Sequence, residues 1–217
     1  MTVHLKAKLT LSLLLALFIH TGVTYGQVAV EQQVAASAQM AVQNLGNELM
    51  QGNFSYGYER IYPRWKRRLA KRYGGADKLD SQIQKGNAQK RDLKVIVSSY
   101  KAQQPTSFFS VWRSKKIDNN TGKPIINHLG QNMVVEHWLA IVPTITRIKI
   151  PVADVPGSIR EIEEKSYTIA ISEKGSHDWH FMTGLRPTVQ DLRSLFPTLP
   201  ATENELGLPV SAVREIK

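Results

Sequence analysis

The sequence predicts an α+β domain, and three observations carry that prediction. Apolar residues recur at three-and-four spacing as far as about residue 90, the period changes to two after Asp92, and no Pro/Gly linker divides the halves. Helices followed by a run of antiparallel strands in one undivided chain form one layered unit.

Composition sets the frame for the elements. The chain has 217 residues, of which 42% are hydrophobic and 21% charged, an ordinary globular balance and too apolar for a wholly disordered one. It has no Cys, which excludes disulfide frameworks, thiolate metal sites and thiol nucleophiles.

The leading segment is set aside first. Lys6 and Lys8, with no acidic residue, precede an apolar run over residues 9–19, and Thr24 and Gly26 stand three and one before a cut ahead of Gln27. That layout predicts a secretory signal peptide over residues 1–26, followed by one domain over residues 27–217. An uncleaved anchor is the competing reading, but the apolar run is short for a bilayer span. The expectation is therefore an exported protein, periplasmic or extracellular, with no membrane span after cleavage. Loss of two lysines lowers the formal charge from +10 to +8. Without Cys such a domain must hold together by packing, for which its length is ample.

The elements follow in order. Val30, Val34, Ala38, Leu45 and Leu49 give an amphipathic helix over residues 30–50, ended by Gly52-Asn53. A second helical piece over 54–62 stops at Pro63, which lacks the amide hydrogen. Residues 64–73 form a third helix with Trp65 and Leu69 on one face, closed by Gly74-Gly75. Leu79 and Ile83, four apart, mark a fourth over 77–88. Strands are predicted over 93–101 and 107–114, joined as a hairpin by the turn-like Gln103-Gln104-Pro105-Thr106. A loop at 118–124 precedes a long strand over 131–150, bent at Pro143, and strands over 159–172 and 178–183. A short helix over 188–196 completes the pattern.

The order Gly52-Asn53, Tyr62-Pro63, Gly74-Gly75 with Leu79, Ala140-Ile141-Val142-Pro143, Tyr167, Ile171-Ser172-Glu173-Lys174-Gly175, Trp179-His180-Phe181-Met182 and Leu208-Pro209 resembles exported bacterial members of the nuclear transport factor 2-like superfamily. The resemblance covers residues 30–209. It implies a cone-like roll, with N-terminal helices packed in a strongly curved antiparallel sheet that encloses a pocket. It also implies that Trp179 and Phe181 pack against the first helix, as do Tyr167 and Ile169 on the next strand. The fold serves dehydratases, isomerases, hydrolases and proteins with no chemistry, so it does not settle function.

The strongest functional signal is residues 60–72, with seven basic residues in thirteen. Arg60, Arg64, Arg68 and Arg72 recur every four, a positive ridge if the helix is continuous, with Arg67 and Lys71 beside it. Such a ridge gathers phosphates, anionic lipid heads or acidic glycans, and Tyr62 and Trp65 add aromatic faces. The anion-binding set is Arg60, Arg64, Arg67, Arg68 and Lys71. The competing reading is a solvated face whose stems cover apolar surface. Export makes nucleic acid the least expected acidic partner.

Acid/base candidates are Tyr58, Tyr62, Glu136, His137, Asp178 and His180. A pocket enzyme needs a base near its substrate and a group that orients it, and alternation along a strand puts either His137 or Trp138 inward. His177 and His180 would point to opposite faces of a strand, so no metal is expected, and no cofactor motif occurs. Two functions stay open. One is an exported non-catalytic binding or interaction module with a pocket and a basic helical patch, contacting an anionic ligand or envelope surface. The other is a small-molecule lyase, isomerase or hydrolase with its site inside the roll. Val95, Val97, Val111 and Val135 would suit a homodimer through the sheet face.

Overall fold

The computed structural model describes residues 28–118, 120–152 and 157–216. The signal segment expected over residues 1–26 lies outside them. The helices α1 (Gln32–Met50), α2 (Tyr56–Glu59), α3 (Pro63–Tyr73) and α4 (Ala76–Asp92) come first. Strands β1 (Ile96–Ala102), β2 (Ser107–Lys115), β3 (Val134–Pro151), β4 (Ile159–Glu173) and β5 (His180–Phe181) follow, then α5 (Val189–Leu195), α6 (Glu203–Leu206) and β6 (Ala212–Ile216). The architecture is mixed helix and antiparallel sheet, α+β as the sequence predicts.

Local chemistry fixes the helix ends. Pro63 opens α3 at the position where its missing N–H costs nothing, and it separates α2 from α3, so Arg60 lies outside the helix that carries the other arginines. Gly74, at φ 81°, closes α3 in the left-handed region. Thr188 with Asp191, and Thr202 with Glu205, form capping boxes on α5 and α6.

The β3–β4 hairpin is the spine of the sheet, paired from His137↔Glu173 to Pro151↔Ile159. The expected hairpin of β1 on β2 does not form. Both strands pair with β3, β1 along residues 144–149 and β2 along 134–141, so they lie end to end on one edge. Pro143 explains the break. It has no N–H to offer, and Gln103 N and Thr106 N donate to Pro143 O at 2.8 Å and Ile141 O at 2.9 Å across the interruption. Turn-like composition here marks a gap along one strand edge rather than a reversal. β5 and β6 share the far edge of β4 in the same way. Among the described residues no pairing joins the two edges, so the sheet is open.

Alternation along the strands divides the core between two faces. Leu139, Ile141, Ile169 and Ile171 pack with Trp65, Leu69 and Phe196 on the face covered by α3 to α6. Ala140, Val142 and Ala170 pack with Ala38, Val42 and Leu45 of α1 on the other. Small strand residues let α1 approach closely. Gly46 takes this furthest, since a Cβ there would lie 1.8 Å from the Tyr100 ring.

Trp179 and Phe181 pack in the α1 layer, and the Trp179 indole donates to Ser37 Oγ at 3.1 Å. Tyr167 and Ile169 do not join them. Their register turns them to the α3–α6 face. Val97 and Val111 are buried, so neither is available to a second copy.

Two pairs of hydrogen bonds tie the α2–α3 joint and β6 to this frame. Tyr62 N donates to Phe181 O, and Phe181 N to Arg60 O, both at 2.8 Å, which fastens the α2–α3 joint to β5. The Glu163 carboxylate, buried on β4, accepts from Arg147 Nε at 3.1 Å and Arg214 Nε at 2.9 Å, clamping β6. Burial alone would raise its pKa, but the two guanidiniums hold it below the usual carboxylate range.

Candidate functional site

The basic segment is largely occupied within the fold. Arg64 Nη1 donates to Leu195 O at 3.0 Å, and its guanidinium lies 3.5 Å over the Trp112 ring. Trp112, at φ 52°, sits in a bulge of β2 that turns its ring toward Arg64. Arg68 Nη1 donates to Asp191 O at 3.2 Å, and Arg72 pairs with the Asp191 carboxylate. The four-residue spacing therefore builds a clamp that fixes α5 on α3. Burial would raise the Asp191 pKa, but the Thr188 amide, the Arg72 guanidinium and the Thr188 hydroxyl together hold it low. Arg60 bonds Asp178 and Trp179 O. Arg67 and Lys71 are exposed on the outer side of α3.

The acid/base candidates separate into one group and three outliers. Tyr62, His137 and His180 share the α3–α6 face. The Tyr62 and His137 rings lie 6.3 Å apart edge to face, and register sets His180 opposite Ile171, two residues from Glu173, the partner of His137. His137 Nδ1 is buried without a hydrogen bond. Burial pushes the His137 pKa down, against the pull of the Trp112 backbone and Glu173. Burial likewise raises that of Tyr62, which Arg64 opposes. Glu136 lies on the other face, where it accepts from Lys174 Nζ at 2.8 Å. Asp178 is exposed and paired with Arg60. Tyr58 donates to Asp80 and carries the Lys66 ammonium 4.0 Å over its ring.

The space between sheet and helices is filled by Trp65, Phe109, Leu139, Ile141 and Phe196. An apolar hollow lies among the helices. A cavity of about 330 Å³ is walled by Leu45 and Leu49 of α1, Phe54 and Tyr58 near α2, Leu69 of α3, and Leu79 and Ile83 of α4. Its size is within the range of small-molecule sites. One cation, Lys90, and no carboxylate or histidine stand among its lining residues.

Gly86 also lines this cavity, in the interior of α4. A Cβ built there meets nothing within 4 Å. Glycine at such a position costs a helix about 1 kcal/mol relative to alanine, and here the missing side chain enlarges the hollow. The sequence offers a signal for it, a glycine inside a helical repeat, although Lys90 and the α1 wall carry no motif.

Among the described residues no helix is long and apolar enough to cross a membrane, and no group of three or more metal-ligating side chains comes together. The chain matches no family model, and no curated protein or solved structure matches it.

Proposed function

We propose that this chain is an exported, non-catalytic binding module that holds a small molecule in the cavity between α1 and α4 and meets an anionic surface through the outer side of α3. The apolar lining carries the reading. Leu45, Leu49, Phe54, Leu79 and Ile83 supply burial, while no acid/base set converges on the hollow. Catalysis would need a base within hydrogen-bond reach of a bound substrate.

We also propose membership of the nuclear transport factor 2-like superfamily, a reading that rests on the ordered sequence fragments from Gly52-Asn53 to Leu208-Pro209. The cone-like roll, a strongly curved sheet that encloses a pocket with the helices, belongs to this proposal, while the described strands form an open sheet. Export to the periplasm or beyond rests on the layout of residues 1–26.

Titration with the neutral apolar fluorophore N-phenyl-1-naphthylamine tests the reading. Saturable binding of one probe per chain is expected, lost in Gly86→Phe and kept in Gly86→Ala. Binding that survives Gly86→Phe in a folded protein would show that the cavity is not the site.

A second reading draws on Tyr62, His137 and His180, the one place where titratable candidates meet. A lyase, isomerase or hydrolase site there would use His137, kept neutral by burial, as its base. Turnover of a small carbonyl or ester substrate that His137→Gln abolishes would favour it over the binding module.

A further inference from the structure

The cavity has a direction. Leu79, Ile83, Gly86 and Lys90 all line it and follow one another along α4 at steps of four, three and four, the spacing of a single helix stripe. From Leu79 to Lys90 this stripe runs about 16 Å at the usual helical rise. It begins apolar, passes the vacancy at Gly86 and ends in a cation.

Lys90 marks the polar end. Its Nζ lies 5.0 Å over the ring of Phe54, another wall residue, so the charge is held at the rim. Among the described residues Lys90 has no ion pair, and no lining residue is acidic. The amides of Gln82 and Asn87 line the same wall and can donate hydrogen bonds. An apolar chamber with one unneutralised cation at its rim complements an apolar body with one negative charge.

Volume limits the body. At about 30 Å³ for each water-sized group, the cavity of about 330 Å³ takes about ten such groups. We infer that the ligand is an amphiphile with an apolar chain of about ten carbons and a single carboxylate head, the chain lying along Leu79, Ile83 and Gly86 and the head at Lys90. This rests on the cavity being the binding site, as proposed above.

Calorimetric titration of the mature protein with decanoate and with decan-1-ol separates the two claims, because the ligands share a chain and differ in charge. Decanoate is expected to bind at least tenfold more tightly than decanol. Lys90→Met, which keeps an apolar stem and removes the charge, is expected to bring the two within about twofold. Lys85→Met, changed on the same helix outside the cavity lining, is expected to leave the preference intact. Equal affinities in the unsubstituted protein, or a preference that survives Lys90→Met, would overturn the anionic head and leave the cavity reading standing. Binding of neither ligand, or of both equally well in Gly86→Phe, would overturn the inference together with the cavity reading.

Discussion

Two glycines, each inside a helix, separate the two kinds of space in this molecule. At Gly46 of α1 an added Cβ would lie only 1.8 Å from the Tyr100 ring. At Gly86 of α4 it would meet nothing within 4 Å. The first marks where helix and sheet are packed to contact, the second where helices border a half-open hollow. A sequence pattern of helices then strands places both residues correctly in helices, yet says nothing of this difference. The lesson is that the pocket of an α+β fold need not lie between its sheet and its helices.

Substitutions in the packed layer carry the largest expected effects. Trp65 is fully buried and its indole donates to Thr183 O at 3.0 Å, so Trp65→Ala is expected to cost about 3–5 kcal/mol in denaturant unfolding. Gly46→Ala comes next. Its helical gain of about 1 kcal/mol is outweighed by forcing the Tyr100 ring aside, where overpacking costs about 1–3 kcal/mol or more. Gly86→Ala reverses the sign and is expected to stabilise by about 0.5–1 kcal/mol, because only the helical gain remains. Equal signs at the two glycines would erase the distinction between filled and hollow space.

The clamp on α5 gives a smaller, pH-dependent effect. Asp191 and Glu163 both have pKa values held below their unfolded values. The folded state then binds fewer protons, so their contribution is present above about pH 4 and is lost as pH falls through the folded values. Asp191→Asn is expected to flatten the acid limb of a stability–pH curve. His137, also depressed, adds a shallower loss as pH falls below about 6.5, which His137→Gln removes. The smallest stability effect is expected at Arg67 and Lys71. Changing both to Glu should alter stability by no more than about 0.5 kcal/mol while abolishing binding to anionic vesicles. Arg64→Met and Arg68→Met should loosen α5 instead, visible as faster amide exchange across residues 189–195.

Much of the fold was legible in the sequence because its signals are local. Spacing alone located α1, and Pro63 and Gly74 marked the ends of α3. The pairing of β1 and β2 was not legible, since Gln103-Gln104-Pro105-Thr106 has the composition of a turn and the missing donor that explains it, Pro143, is on another strand. β6 escaped notice because it is a short, mostly exposed edge strand whose place depends on Arg214 reaching Glu163. The capping box of Thr202 and Glu205 could have revealed α6. At the site, a four-residue repeat of arginines showed where charge collects but not what it faces. Asp191 and the α5 carbonyls lie more than a hundred residues away. The cavity depended on the same kind of distant meeting, with α1, α3 and α4 each giving part of a wall.

A crystal structure of residues 27–217 under xenon pressure tests the distinction most directly, because xenon occupies apolar hollows whatever the natural ligand. Xenon density is expected between α1 and α4, against Leu45, Leu79, Ile83 and Gly86, and is expected to be absent in Gly86→Phe. Xenon lodged between the sheet and α3, with the α1–α4 space empty, would contradict it.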